Sequence, residues 1–179
     1  MAASPKLVAF AAPSGTGKTT LIERVIAHLE SSGLRVGAIK SDAHRVELDT
    51  PGKDTHRMRA SGAATTALVS TDQIAVFRDS PGPEFRLEDI VALFFADMDI
   101  VVAEGFRSHG HPAIVVHRDG TDMRDWAWPA NVVAVASDVP FDGVTNLALD
   151  DVAAIASFVL RAHEAPSIPR SGPCPTPSA

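Results

Sequence analysis

Residues 7–20 read LVAFAAPSGTGKTT, an apolar run that passes directly into a glycine-containing loop. The unbroken apolar stretch at residues 7–12 is typical of a strand that is buried on both faces. After Gly17 the apolar positions recur at helical spacing as far as Leu29, and Gly33 stands where a helix C-cap is expected. A strand, a loop and an amphipathic helix in this order predict the first βα unit of a mainly parallel sheet.

The loop at residues 12–19, APSGTGKT, matches the phosphate-binding pattern G-x-x-x-x-G-K-[ST] except at its first position, which is Ala12. Glycines let the backbone curl so that successive N–H groups point into one concavity at the helix start. We expect Lys18 to reach the β- and γ-phosphates of a nucleotide and Thr19 to coordinate Mg²⁺. An ordinary glycine-rich turn is the alternative. The predicted nucleotide-binding loop comprises Pro13, Ser14, Gly15, Thr16, Gly17, Lys18, Thr19 and Thr20.

The rest of the chain alternates between strand and helix patterns, which predicts an α/β fold: a three-layer α/β/α P-loop NTPase with a mostly parallel sheet. The two-residue link Thr71-Asp72 predicts an antiparallel hairpin attached to that sheet, which would make the sheet mixed. Asp150 is predicted to N-cap the last helix. Predicted strands are 35–40, 64–70, 73–77, 99–103, 113–117 and 132–136. Predicted helices are a short one at 54–61 and another marked by the apolar positions from Leu87 to Phe94.

The domain prediction is one nucleotide-binding domain at residues 1–164, followed by a tail at 165–179. Five prolines among the last fourteen residues predict that this tail is disordered. The formal charge of −6 and the lack of a Lys/Arg stripe argue against a nucleic-acid partner. The apolar runs are too short to cross a membrane, and a single cysteine allows no internal disulfide, so we expect a cytoplasmic protein.

Acidic residues near strand ends are candidates for the metal site. Glu104 closes the strand DIVVAE and is the predicted Mg²⁺ partner, with Asp99 at the start of that strand as the alternative. The alternative to a metal-binding role is that Glu104 and Gly105 simply form a turn at the end of the strand. Lys40, Asp42 and His44 follow another strand, and ligands gather at the carboxyl ends of strands in such sheets. The predicted catalytic residues are Lys18, Asp42 and Glu104, and the predicted metal ligands are Thr19, Glu104 and Asp42.

Other polar side chains allow two interpretations each. Lys53, Asp54, Arg57 and Arg59 could contact phosphates or a second substrate, or could simply form a solvated helix face. The histidines are predicted to be solvated rather than metal ligands, because neither cysteine partners nor an HxxxH pair accompanies them. Trp126 and Trp128 are predicted to pack or to contact a partner. The histidines in question are His44, His56, His109, His111 and His117.

Taken in order, these residues resemble the molybdopterin-guanine dinucleotide biosynthesis protein B family, known as MobB. The resemblance spans residues 6–120. Its most specific part is D-x-P-G-K-D followed by R-x-x-G-A and V-x-E-G-F. Two departures are Ala12, in place of the first loop glycine, and Ser41, where family members often have histidine. The matching segments are PSGTGKTTL, GLRVGAIK, AHRVELDTPGKDTHRMRASGA, DIVVAEGF and PAIVVHRDG.

The resemblance implies a GTP-binding protein with weak Mg²⁺-dependent GTPase activity that forms a homodimer. It would assist a partner guanylyltransferase that joins GMP to molybdopterin, bind molybdopterin as substrate or cargo, and help deliver the cofactor to molybdoenzymes. By position, the resemblance implies that residues 15–20 are the phosphate loop and that Glu104 is the acidic residue of a Walker B-like motif. It also carries over Lys40, Asp42, His44 and residues 51–54, which include Lys53 and Asp54, as the family loop.

One residue in the sequence is a candidate for selecting guanine over adenine in the bound nucleotide. Asp138 follows the strand at residues 132–136, and its carboxylate could accept hydrogen bonds from guanine N1 and N2, which adenine cannot supply. A strand-end cap is the structural alternative. A small-molecule kinase, with residues 78–86 as a lid, and a pure nucleotide-binding module are the competing functions. Arg57 or Arg107 could stabilise the transition state of hydrolysis.

Overall fold

The structure is a computed structural model that describes residues 4–41, 48–79, 86–107, 110–123 and 125–167. The described residues fall into two compact units. Unit 1 takes the described part of Met1–Ser41 and Ile90–Ala179, and unit 2 takes that of Asp42–Asp89. A single nucleotide-binding domain through residue 164 stays a prediction, and residues 168–179 of the predicted tail lie outside the described residues.

Unit 1 is built on a six-stranded sheet in which each neighbouring pair of strands is parallel. The strand order is β2-β5-β1-β6-β7-β8. Strand β8 has no counterpart in the sequence predictions, because its three residues are too few to display an alternating pattern. The strands are β1 (Lys6–Ala11), β2 (Val36–Lys40), β3 (Thr65–Val69), β4 (Ile74–Arg78), β5 (Ile100–Glu104), β6 (Ala113–Val116), β7 (Val132–Ser137) and β8 (Asn146–Ala148).

Helices cover the sheet because its central strands are apolar on both faces. Helices α1 and α4 pack together over one face, on side chains such as Phe10 and Ile114. On the opposite face Phe95, just after α3, lies against Gly37, where a Cβ would be 2.4 Å from the Phe95 ring. The predicted α/β fold with a mostly parallel sheet and an antiparallel pair is confirmed. The helices are α1 (Lys18–Ser31), α2 (Asp54–Ala60), α3 (Leu87–Phe94) and α4 (Val152–Arg161).

The N-cap of α4 corrects one prediction. The cap is Asp151, whose carboxylate accepts a hydrogen bond from the Ala154 backbone N–H at 2.9 Å, and not Asp150. Either aspartate satisfies the sequence preference for an acidic N-cap. The position of the first helical residue, Val152, decides which of the two has the right backbone geometry.

Unit 2 contains the hairpin of β3 and β4, which forms a separate two-stranded sheet. The prediction that this hairpin joins the main sheet is therefore wrong. A two-residue link fixes only how two adjacent strands pair, and it carries no information about a third strand. Helix α2 packs against β3 within this unit.

Candidate phosphate-binding site

The loop between β1 and α1 has the backbone shape that a phosphate cradle requires. Gly15 and Gly17 both adopt a φ of 82°, a left-handed conformation that favours glycine. The Thr16 hydroxyl is buried and donates to the carbonyl of Pro13 at 3.1 Å, which closes the curl. Gly17 is the N-cap of α1, and the first turn has no acidic residue to compete for its N–H groups. The helix start can therefore bind an anion.

Glu104 lies at the centre of the site. Its carboxylate accepts a hydrogen bond from Lys18 Nζ at 2.8 Å on one oxygen and from the Thr19 hydroxyl at 3.1 Å on the other. Lys40 Nζ stands 4.0 Å from the first of these oxygens, since Lys40 and Glu104 are register partners on β2 and β5. The Lys18 and Glu104 side chains are 16% and 14% exposed, whereas that of Lys40 is 66% exposed. Lys40 thus contributes at the solvent side of the cluster.

The electrostatics of Glu104 reflect two opposed effects. Partial burial raises its pKa, but the hydrogen bond and charge of Lys18, the Thr19 hydrogen bond and the charge of Lys40 outweigh burial, so the pKa of Glu104 is lowered from the ordinary 4.5. Glu104 is therefore ionised at neutral pH. Its two oxygens, with the Thr19 hydroxyl, form the hard-oxygen donor set that Mg²⁺ prefers, so the residues present fit this ion.

The backbone after Glu104 is shaped for close approach to β2. Gly105 has a φ of 95°, and a Cβ there would lie 3.2 Å from the Ser41 Cβ. Phe106 is a non-glycine residue with a positive φ of 53°. The Ser41 N–H donates to the Glu104 carbonyl at 2.9 Å, so the two strand ends are joined directly beside the carboxylate.

Asp99, the alternative acid, lies at the other end of β5. Its carboxylate accepts a hydrogen bond from the Arg35 backbone N–H at 2.7 Å, which is a structural role at the amino edge of the sheet. The structure brings Lys18, Thr19 and Glu104 together. Asp42 and His44, predicted for the same site, lie outside the described residues.

The predicted residues Lys53 and Asp54 belong to unit 2. Lys53 is the N-cap of α2, and Asp54 forms an ion pair of 3.6 Å with Arg57. Arg59 pairs with Asp79 at 2.9 Å. Asp49 is buried and accepts a hydrogen bond from the Thr55 hydroxyl at 2.9 Å, so it holds the turn before α2.

A polar pocket lies beside the phosphate loop, at the carboxyl ends of β7 and β8. Asp138 is one of its walls, and one Asp138 oxygen accepts a hydrogen bond from the Asp119 backbone N–H at 2.7 Å. Arg118 is another wall, and its Nε donates to the Thr16 carbonyl at 3.5 Å. The sequence predictions missed Arg118. Its place directly after β6, at the same edge as Glu104 and Asp138, was the available signal.

The remaining candidates have structural partners. His117 is buried, its Nδ1 is 3.0 Å from the Ser137 hydroxyl, and its ring meets Phe141 edge-on. Trp126 and Trp128 contact each other, and Arg107 lies over the Trp126 ring at 5.4 Å. The predicted packing role of the tryptophans is thus observed, and Arg107 is engaged away from the phosphate loop. His109 and most of the predicted lid at 78–86 lie outside the described residues.

Two kinds of feature are absent from the described part of the chain. Within it, no three or more His, Cys, Asp or Glu side chains come together in a group that could hold a metal ion. The helices of the same part are all too short or too polar to cross a bilayer.

Comparison with known proteins adds the family context. The family model described as molybdopterin guanine dinucleotide synthesis protein B matches residues 7–138. A molybdopterin-guanine dinucleotide biosynthesis adapter protein of Escherichia coli K12 is 38% identical, over 86% of this chain and 91% of the relative. That of Haemophilus influenzae is 32% identical, over 82% and 83%. A crystal structure of molybdopterin-guanine biosynthesis protein B matches with a TM-score of 0.69 and 30% identity, covering 86% of this chain and 96% of that one.

Proposed function

The chain belongs to the molybdopterin guanine dinucleotide synthesis protein B family, and we propose that it is a GTP-binding adapter in the synthesis of molybdopterin guanine dinucleotide. One observation supports nucleotide binding: Lys18 and Thr19 both donate hydrogen bonds to Glu104, next to a curled glycine loop. The relatives named as adapter proteins support the pathway.

In this proposal the loop amides and Lys18 bind the β- and γ-phosphates of GTP. Thr19 and Glu104 would hold Mg²⁺, which neutralises phosphate charge when bound. Lys18 and Thr19 both donate to Glu104 in the structure, so nucleotide binding requires Lys18 to exchange that carboxylate for phosphate oxygens. Lys18 would then lose its charged hydrogen bond to Glu104 and gain one to a phosphate oxygen.

The proposed hydrolysis is weak, and adapter action is the main role. Arg57, one candidate for transition-state stabilisation, is paired with Asp54, and Arg107 lies on Trp126. In this proposal a partner molecule supplies the cation that stabilises the transition state. The proposed partner is a molybdopterin guanylyltransferase in the cytoplasm, with molybdopterin and molybdoenzymes as later contacts.

The homodimer proposal rests on the outer hairpin face, which we define as Ala67, Val69, Ile74 and Val76. In the antiparallel register these four side chains share one face of the hairpin. Val69 and Ile74 are 68% and 71% exposed. A two-stranded hairpin is marginal without further packing, and an apolar face can pair with its own copy across a two-fold axis.

Calorimetric titration of GTP and ATP with Mg²⁺ tests the nucleotide site. Loss of a charged hydrogen bond to phosphate predicts that Lys18→Ala weakens GTP binding by about 10- to 100-fold. The matched control is Lys6→Ala, which removes only a hydrogen bond from Lys6 to the Leu160 carbonyl. Equal GTP affinity of Lys18→Ala and the wild type would contradict the phosphate site.

A reconstituted guanylation assay tests the adapter role. The wild-type chain is expected to bind a molybdopterin guanylyltransferase and to raise the yield of molybdopterin guanine dinucleotide, and Lys18→Ala is expected to bind the enzyme without raising the yield. Absence of binding and of any effect would contradict the adapter role. Transfer of the γ-phosphate from the nucleotide to a nucleoside-type acceptor would favour the kinase alternative.

A further inference from the structure

Two ammonium groups converge on one oxygen of Glu104, and the proposed nucleotide chemistry uses only one of them. Lys18 Nζ lies 2.8 Å from Oε1, and Lys40 Nζ lies 4.0 Å from the same oxygen. These three side chains carry two positive charges and, on the ionised carboxylate, one negative charge. Two like charges held this close repel each other, so a further anion beside the two lysines would be bound favourably.

The register of the sheet places Lys40 on the face where the phosphate loop begins its helix. Phe10 on β1, Glu104 on β5 and Lys40 on β2 form one row across three neighbouring parallel strands. Side chains alternate between the two faces along each strand, so the members of one row share a face. Phe10 packs in the core with Leu21 of α1, and the first residue of α1 is Lys18. Lys40 and Lys18 therefore lie on the same side of the sheet.

The backbone beside Lys40 is held firmly, whereas its ammonium group is exposed. The Ser41 N–H donates to the Glu104 carbonyl at 2.9 Å, and Gly105 lets the two strand ends approach closely. The Lys40 side chain is 66% exposed, and 4.0 Å is beyond hydrogen-bond range, so Glu104 leaves the three N–H donors of Lys40 unused. Lys40 thus combines a fixed position with donors that suit an anionic ligand.

Nucleotide binding, as proposed above, changes the anions that surround Lys40. Lys18 leaves Glu104 for the β- and γ-phosphates, and Glu104 turns its oxygens to Mg²⁺. A carboxylate that ligates a cation attracts a neighbouring ammonium group less strongly. The new anion at the cluster is the terminal phosphate, which the metal bridges together with the β-phosphate. A nucleoside diphosphate lacks this group.

We propose that Lys40 binds the terminal phosphate of a nucleoside triphosphate and makes the chain discriminate against the diphosphate. The proposal rests on the proposed nucleotide-binding function and adds selectivity for the triphosphate to it. Lys40 is then a specificity-determining residue of the phosphate site. Hydrolysis of the bound nucleotide removes its ligand and weakens the hold of the chain on the product.

The decisive variant is Lys40→Ala, titrated calorimetrically in the presence of Mg²⁺ with two ligands. These are GDP and the β,γ-imido analogue of GTP, whose bridge resists hydrolysis. Loss of one charged hydrogen bond to the γ-phosphate should weaken binding of the analogue by about 10-fold. GDP affinity should stay unchanged, because GDP has no phosphate at that position.

Two further variants control for charge. Arg35→Ala is the matched control, because Arg35 is an exposed cation just before β2, at the opposite end of that strand, where it pairs with Asp97. It removes the same charge and should leave both affinities unchanged. Lys40→Arg keeps a cation that binds phosphate, so it should retain the preference of the wild type for the triphosphate analogue.

Phosphorus NMR of the bound analogue supplies a second readout. The γ-phosphate resonance should differ between the wild type and Lys40→Ala, while the α-phosphate resonance stays in place, since Lys40 contacts only the terminal group. Equal affinity of the wild type for GDP and the analogue would overturn the proposal. An unchanged affinity ratio in Lys40→Ala would do the same, and Lys40 would then contribute only a structural ion pair.

The phosphate site itself is separable in the same experiment. Lys18→Ala should weaken GDP as well as the analogue, because Lys18 contacts the β-phosphate too. If Lys18→Ala behaves so while Lys40→Ala alters no ratio, the role of Lys40 fails and the phosphate site stands. Failure of the wild-type chain to bind either nucleotide would remove both.

Discussion

The two units of the molecule use apolar side chains in opposite ways. In unit 1 the central strands β1 and β7 bury nearly every side chain on both faces, so the sheet and its helices complete their own core. In unit 2 the outer hairpin face leaves Val69 and Ile74 largely in solvent, and α2 has no buried residue. Unit 1 therefore completes its own core and has its polar cluster at one edge of the sheet, whereas unit 2 leaves an apolar face exposed.

The largest expected effect concerns the core of unit 1. Phe10→Ala in β1 removes a fully buried ring and should lower the free energy of unfolding by about 3–5 kcal/mol. Val69→Ala on the outer hairpin face should cost less than about 1 kcal/mol in dilute solution, because that side chain is exposed. Chemical denaturation of both variants measures the contrast. A similar loss of unfolding free energy in the two variants would contradict the difference in burial between the two units.

The second prediction concerns association. Ile74→Lys places a charge on the outer hairpin face and should raise the dimer dissociation constant by about 10-fold or more, since an apolar side chain is lost and an unpaired charge is introduced. Sedimentation velocity over a concentration series measures this constant. Thr71→Lys, in the exposed turn of the same hairpin, is the control for added charge. A purely monomeric wild-type chain would exclude the dimer.

The third prediction tests the ion pair at the polar edge. Folding lowers the pKa of Glu104 below 4.5, so the ion pair stabilises the chain above that pH, and this stability is lost as pH falls through the lower folded value. In the nucleotide-free chain, Glu104→Gln should cost about 1 kcal/mol at neutral pH, because the charged hydrogen bond from Lys18 to the carboxylate is lost. The difference from the wild type should vanish in acid. Glu23→Gln, which changes an exposed carboxylate on α1 outside the ion pair, is the matched control.

The smallest effect separates two adjacent aspartates. Asp151→Ala should destabilise the chain by about 1 kcal/mol because the N-cap bond to the Ala154 N–H is lost. Asp150→Ala should change stability by less than about 0.5 kcal/mol, since Asp150 is exposed before the helix. Thermal unfolding of the two variants compares them. A larger loss for Asp150→Ala would contradict the cap.

Local patterns predicted most elements and part of the candidate site. The glycine loop, Lys18 and Thr19 are adjacent in sequence, so their shared role follows from a short motif. Glu104 could be predicted because strand ends in a parallel sheet meet at one edge. Arg118 was missed, because its approach to Thr16 joins residues far apart in the chain and matches no short pattern.

The sequence by itself determined the βα unit, the phosphate loop, the hairpin pairing and the family resemblance, because each depends on neighbouring residues or a fixed spacing. Only the tertiary structure decided that the hairpin forms its own sheet, that Asp151 caps α4, and that Lys18, Thr19 and Glu104 share one hydrogen-bonded cluster. It also placed Arg118 and Asp138 around one pocket. These outcomes depend on the order of strands in the sheet and on backbone geometry at single residues, and neither is encoded in a local pattern of side chains.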